Sequence, residues 1–230
     1  MIGIDVETAG NNGGGALTLE EGRLRTVQIS NGKKAKVYDA FRQDHDVIRR
    51  AIEDHDELVA HNAVFESMWL KAALDVDRQD LHDTMIMSQV YYTGTRAAIS
   101  KSFSHSLQAV VKRELKRELS KDEQQSEWGA AALTREQIKY AAFDAAVMPK
   151  LAEALMRKIE RAGLRKVYEL ELRVSHAVEA MQRRGVADPP TNEAAAHGRD
   201  RPLHLLGGSI GRPCPSIFSD LRFFQVFDIP

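Results

Sequence analysis

Met1-Ile2-Gly3-Ile4-Asp5-Val6-Glu7-Thr8 decides the fold. Apolar Ile2, Ile4 and Val6 alternate with Gly3, Asp5 and Glu7, which is the two-residue period of a β-strand. Side chains two apart leave the same face of a strand, roughly 6.6 Å apart along it. Asp5 and Glu7 therefore stand side by side at the strand's end. Carboxylates held that close repel each other unless a cation lies between them, and clustered hard oxygen ligands suit Mg²⁺ or Mn²⁺. Taken alone, the pair reads as the solvated end of a strand; the rest of the chain changes that reading.

Outward from this strand, Ala9 to Gly22 reads as a loop, and its three consecutive glycines lack the following Gly-Lys-Ser/Thr of a phosphate loop. Leu24–Ile29 and Lys34–Tyr38 both alternate and are split by Asn31-Gly32, a strong hairpin signal. The first three strands thus form an antiparallel meander. Asp46 to Glu53 has helical spacing. Leu58-Val59-Ala60 is wholly apolar, as a strand buried on both faces should be. It runs into His61-Asn62-Ala63-Val64-Phe65-Glu66, which opens a helix with Asn62 and Glu66 on one face, four residues apart. Leu81 to Thr84 gives a fifth short strand, with Asp83 capping a helix to Tyr91. The expected class is α/β: a mixed five-stranded sheet flanked by helices, with a helical C-terminal extension.

From Ser104 to Gly185 the chain reads almost entirely helical. Ser120-x-x-Glu123 and Thr134-x-x-Gln137 are capping-box patterns, and Pro149 is expected to kink a helix or start a new one. Lys112, Arg113, Lys116, Arg117 and Lys121 are interleaved with Glu114 and Glu118 and read as a solvated helix face. Leu164 to Met181 is amphipathic and stops at Gly185. Six of the seven prolines lie at 189 or beyond, so 187–230 is expected to be an irregular or disordered tail.

With 32 basic and 33 acidic residues and a net charge of −1, any nucleic-acid footprint must be local. A single cysteine, Cys214, excludes an intrachain disulfide and a cysteine-rich zinc site. No apolar run approaches the ~20 residues that span a membrane, and the start lacks a basic-then-apolar leader. A cytoplasmic, monomeric protein without a membrane partner is expected.

A third cluster is Tyr140-Ala141-Ala142-Phe143-Asp144, again two polar residues four apart on one helix face. In order, D-x-E ending a strand, H-N-x-x-F-E opening a helix and Y-x-x-x-D on a late helix resemble the DEDD exonuclease superfamily. The resemblance is to its tyrosine-type branch, which includes the proofreading domains of family-A DNA polymerases and the ribonuclease D group. It extends over Lys121, Gln125, Ser126 and Trp128, then Leu133, Thr134 and Gln137. The histidine branch would need His five residues before the last acid, where Lys139 stands.

The resemblance implies a ribonuclease H-like fold and two-metal hydrolysis from a 3′ end, with Mg²⁺ or Mn²⁺ as the two ions. It implies Asp5 as the bridging ligand, Glu7 and Asp144 completing the first site, and Glu66 holding the second. It implies Tyr140 as the group orienting the attacking water and Thr8, Asn62 and Phe65 as substrate contacts, with packing or capping the other reading of Asn62 and a place in the core the other reading of Phe65. Position 66 departs from the family, which usually has Asp there; one extra methylene changes the reach to the second ion. His61 is expected to be structural. The implied boundaries are an exonuclease domain at 1–163, a connecting helix at 164–186 resembling the start of a family-A polymerase domain, and the tail. The implied partner is the 3′ end of single-stranded DNA, with proofreading in replication or repair beside a polymerase as its setting. RNA, as in the ribonuclease D group, is the alternative, and a catalytically silent nucleic-acid-binding domain is a third reading.

Overall fold

A computed structural model of the chain describes residues 1–11, 16–78, 80–99, 103–119, 126–184 and 225–228. Strand β1 (Ile2–Gly10) pairs antiparallel with β2 (Gly22–Ser30), and β2 with β3 (Lys34–Asp39). On the other side of β1 lie the parallel strands β4 (Leu58–Ala60) and β5 (His82–Asp83). These are the five expected strands in the expected mixed sheet. A sixth, β6 (Gln225–Asp228), pairs antiparallel with β3, giving the order β5-β4-β1-β2-β3-β6. The tail is thus corrected at these four residues, which form an edge strand. Sequence period alone could not find it, because a four-residue edge strand is defined by its partner's ladder. The rest of 187–230, the glycines at 13–15, and the capping box at Ser120 with Lys121 and Gln125 lie outside the described residues.

Helices cover both faces. Leu58 and Ala60 point into one core with Ile4, Val6, Val27, Ile48, Ile52, Trp69 and Leu70, under α1 (His45–Glu53) and α2 (Ala63–Leu74). Val59 points the other way, into Met87, Val110, Met148, Leu151 and Leu155. That second core joins α3 (Thr84–Tyr92), α4 (Leu107–Leu115) and α5 (Arg135–Arg161). Burial on both faces explains why β4 is apolar throughout. The helix α6 (Arg165–Arg184) packs Tyr168 and Leu172 into the same core, while Val167, Leu170, Val174, Val178 and Met181 remain exposed. None of the described helices is long and apolar enough to cross a membrane.

Two sequence expectations change in this helical layer. The basic run is not a plain solvated face: Lys112 pairs with Glu118, but Arg113 stacks over Tyr92 and Phe103 at 4.6 and 4.3 Å. Its neighbour Glu114 has a 1 % exposed side chain, held by Lys158 at 2.6 Å and Tyr92 at 2.6 Å. Pro149 does not end α5, which continues through it. Lacking an N–H, Pro149 leaves the carbonyl of Ala145 without its partner one turn on. Strand β1 uses that opening: a β-carbon added at Gly3 would overlap the Ala145 oxygen. Glycine at 3 and proline at 149 together let β1 and α5 approach closely, next to Asp5 and Asp144.

Candidate active site

The β1–β2 ladder slips after Glu7. Glu7 faces Thr26 and Thr8 faces Leu24, so Arg25 is an extra residue on β2. A bulge bends its strand and re-aims the side chains beside it. Arg25 is fully buried, ion-paired to Asp39 and stacked over Phe41 at 4.4 Å, which fixes the bulge in place. Asp5 and Glu7 project from β1 onto the face crossed by α5, where Asp144 meets them. Ligand oxygens of Asp5, Glu7 and Asp144 all lie within 4.8 Å of one another.

The acids bear the cost of that crowding. Burial first, and then the charge of Asp144, raises Asp5 well above the ordinary carboxylate range; a 2.9 Å hydrogen bond from Gln28 Nε2 pulls the other way. Glu7 is raised by burial and then by Asp5 and Asp144. Burial pushes Asp144 up to about 7, opposed by a hydrogen bond from Tyr140. The Tyr140 hydroxyl is itself raised, by burial and then by Asp144 and Glu7, so it remains a proton donor at neutral pH. Carboxylates this close cannot all ionise without a compensating cation.

Glu66 lies on α2, 3 % exposed, and stands outside the three-acid group. It is raised by burial and then by Asp5, with Asp83 and Glu7 adding to it, and its Oε2 has no hydrogen-bond partner among the described residues. A buried carboxylate oxygen left without a donor is costly, and a second cation beside it would relieve that cost. Asn62 begins α2 in the left-handed conformation (φ 73°), which asparagine tolerates better than most residues. Its side chain makes no capping bond and is exposed. Phe65 is partly buried and packs edge-on to Trp69. The Thr8 hydroxyl is committed elsewhere: it donates to Ala16 O at 2.8 Å and accepts from Ala16 N–H at 2.9 Å. His61 bridges Thr84 Oγ1 and the carbonyl of His105, both at 2.9 Å, which gives it a structural place.

One residue of this neighbourhood and a second role of another were invisible to the sequence reading. Gln28 is directly opposite Asp5 in the β1–β2 register and fully buried; only the register reveals it, and that is set by the intervening loop. Asp83 was expected to cap α3, and it accepts from Met85 and Ile86 N–H at 2.7 and 3.2 Å. It also accepts from Asn62 and Ala63 N–H at 3.1 and 2.8 Å, so one carboxylate caps two helices.

Comparison with known proteins agrees with this architecture. Residues 1–160 match the protein family described as 3′-5′ exonuclease, and the chain belongs to that family, as a 3′–5′ exonuclease of the DEDD type. It is 32 % identical over 149 residues to DNA polymerase I of Aquifex aeolicus, covering 64 % of this chain and 22 % of that protein's length. Among solved structures it is similar to Brucella melitensis NrnC, with 26 % identity, a TM-score of 0.68, and coverage of 82 % of this chain and 87 % of NrnC. NrnC bound to pGG is similar to it as well, at 25 % identity and a TM-score of 0.66, over 83 % of this chain and 89 % of NrnC. Escherichia coli RNase D shares the fold at 20 % identity and a TM-score of 0.63, over 81 % of this chain and 46 % of RNase D.

Proposed function

We propose that the chain is a metal-dependent 3′–5′ exonuclease acting on the 3′ ends of single-stranded DNA. The observation that carries this reading is the Asp5–Glu7–Asp144 cluster, whose oxygens lie within 4.8 Å of one another and whose acids are raised by burial and mutual repulsion. The donor set fits hard divalent cations. Asp5, Glu7 and Asp144 would hold one Mg²⁺ or Mn²⁺, and Asp5 with Glu66 a second. When bound, such ions activate a water and neutralise charge on the attacked phosphate and the departing oxygen.

The chain's own residues do the positioning. Gln28 fixes one oxygen of Asp5, leaving the other free to turn toward the cluster. Tyr140 keeps its proton and donates its hydrogen bond to Asp144 in the metal-free chain; with Asp144 engaged by a cation, its hydroxyl is free to orient the attacking water. Water's oxygen joins phosphorus as the bond to the 3′ oxygen breaks, releasing a nucleotide and a strand one residue shorter. On this reading Asn62, exposed at the start of α2, contacts substrate, and Phe65 bears on the terminal base.

Similarity to a DNA polymerase I supports DNA as substrate and proofreading as the setting. The exposed apolar stripe of α6 supports a polymerase partner that covers it. The likeness to NrnC, which is matched over most of its length and binds pGG, favours a second reading: the same chemistry on RNA ends. Matched DNA and RNA strands degraded in competition decide between them. Preference for DNA supports the first reading, and preference for RNA replaces it with the second.

A further inference from the structure

The strand β5 is two residues long and forms the edge of the sheet, paired only through Val59–His82 and Ala60–Asp83. A ladder that short fixes its own position weakly, and the outward N–H of an edge strand needs a partner. Tyr168 of α6 supplies one. Its hydroxyl accepts from the Asp83 N–H at 3.3 Å and lies 2.9 Å from His82 Nδ1. Its ring stacks on the His82 ring at 6.0 Å and 13°, and the side chain is 1 % exposed. Burial lowers His82 and raises the Tyr168 hydroxyl. The ring nitrogen is thus the acceptor and the phenol the donor.

The consequences run through Asp83. Its carboxylate takes the first N–H groups of both α2 and α3. Asn62 lends α2 no side-chain cap, so Asp83 is what anchors that end of the helix. Glu66 comes one turn later, with an unpartnered oxygen and a charge that Asp5 opposes.

We propose that Tyr168 is a positioning residue for the active site: from α6 it fixes Asp83, and through Asp83 it sets where α2 presents Asn62 and Glu66. The helix α6 then belongs to the catalytic scaffold as well as being a connecting element. The inference rests on the exonuclease reading only for its effect on turnover; the structural coupling stands apart from it.

The test is Tyr168→Phe in the full chain, which keeps the ring stack and removes both hydroxyl bonds. Hydrogen exchange in metal-free protein should speed up at the amides of Asn62, Ala63, Asp83, Met85 and Ile86 by roughly tenfold, as expected when an anchoring bond is lost. The rest of the sheet should be unchanged. The Mn²⁺ midpoint for thermal stabilisation should rise severalfold. Turnover should fall by a similar factor. Asp83→Asn, which weakens the same anchor from its other side, should move exchange and midpoint in the same direction. Wild-type exchange and an unmoved Mn²⁺ midpoint in Tyr168→Phe overturn the proposal, as does an effect in Asp83→Asn alone. A wild-type protein that degrades no strand would instead refute the exonuclease reading, and hydrogen exchange would still decide the coupling.

Discussion

Replacing Asp144 with Asn should stabilise the metal-free protein at alkaline pH and remove its stabilisation by metal. Burial pushes the Asp144 carboxyl up to about 7 in the folded chain, against roughly 3.9 when unfolded. Between these values the folded state keeps a proton that the unfolded state has lost. Stability is therefore full below about pH 4 and declines as pH rises toward 7. A displacement of that size corresponds to about 4 kcal/mol by pH 8. For a domain of this length that is on the order of 8–16 °C in melting temperature. Asn retains an acceptor for Tyr140, removes the charge that raises Asp5 and Glu7, and should recover most of that amount.

Histidines must be separated from this signal. Burial lowers His61, His82 and His105, so their contribution is present above about pH 6.5 and is lost on acidification, the opposite sense to Asp144. Both proteins carry the same histidines, so the difference between them isolates the acid. Thermal melts in chelator from pH 5 to 8.5 should show the variant's advantage growing with pH. In saturating Mg²⁺ or Mn²⁺ the gap should close, because a cation at about 1,000 times its dissociation constant adds about 4.1 kcal/mol to the protein that holds it. A metal-free variant no more stable than wild type at pH 8 would refute the electrostatic account of the cluster.

Asp5→Ala should abolish hydrolysis while leaving circular dichroism intact, and Asp144→Ala should do the same, with a metal-free melting temperature equal to or above that of wild type. Tyr140→Phe should slow turnover by roughly 10- to 10³-fold, the range for one positioned hydrogen bond or proton partner, with little change in strand binding; equal rates would make Tyr140 a packing residue. Glu66→Asp should retain metal-dependent activity and Glu66→Ala should lose most of it, measured as rate against Mn²⁺ concentration. Gly3→Ala should force α5 away from β1, lowering the melting temperature and weakening metal binding together.

Much of this was legible because periodicity reports which face a residue serves. The alternation in β1, the apolar run of β4 and the Asn31-Gly32 turn led to the five-stranded α/β sheet, and i, i+4 spacing paired Tyr140 with Asp144 on one helix. The resemblance assigned Glu66 to a second ion, apart from Glu7 and Asp144, and in the structure it stands outside the three-acid group. Gln28, the Arg25 bulge and the Tyr168–Asp83 contact depend on register and on contacts across 23, 14 and 85 residues. No local pattern encodes such distances. Pro149 starts no new helix for a related reason: its helix-breaking tendency is local, whereas the close approach of Gly3 beside it is tertiary.

The most direct test uses single strands labelled at the 3′ or the 5′ end, incubated with the protein in Mg²⁺, Mn²⁺ or chelator, with Asp5→Ala as control. The expected result is immediate release of the 3′ label as a mononucleotide and a descending ladder from the 5′ label, only with metal and only with Asp5 present. Cleavage from the 5′ end, or degradation that persists in chelator or in Asp5→Ala, would contradict the account.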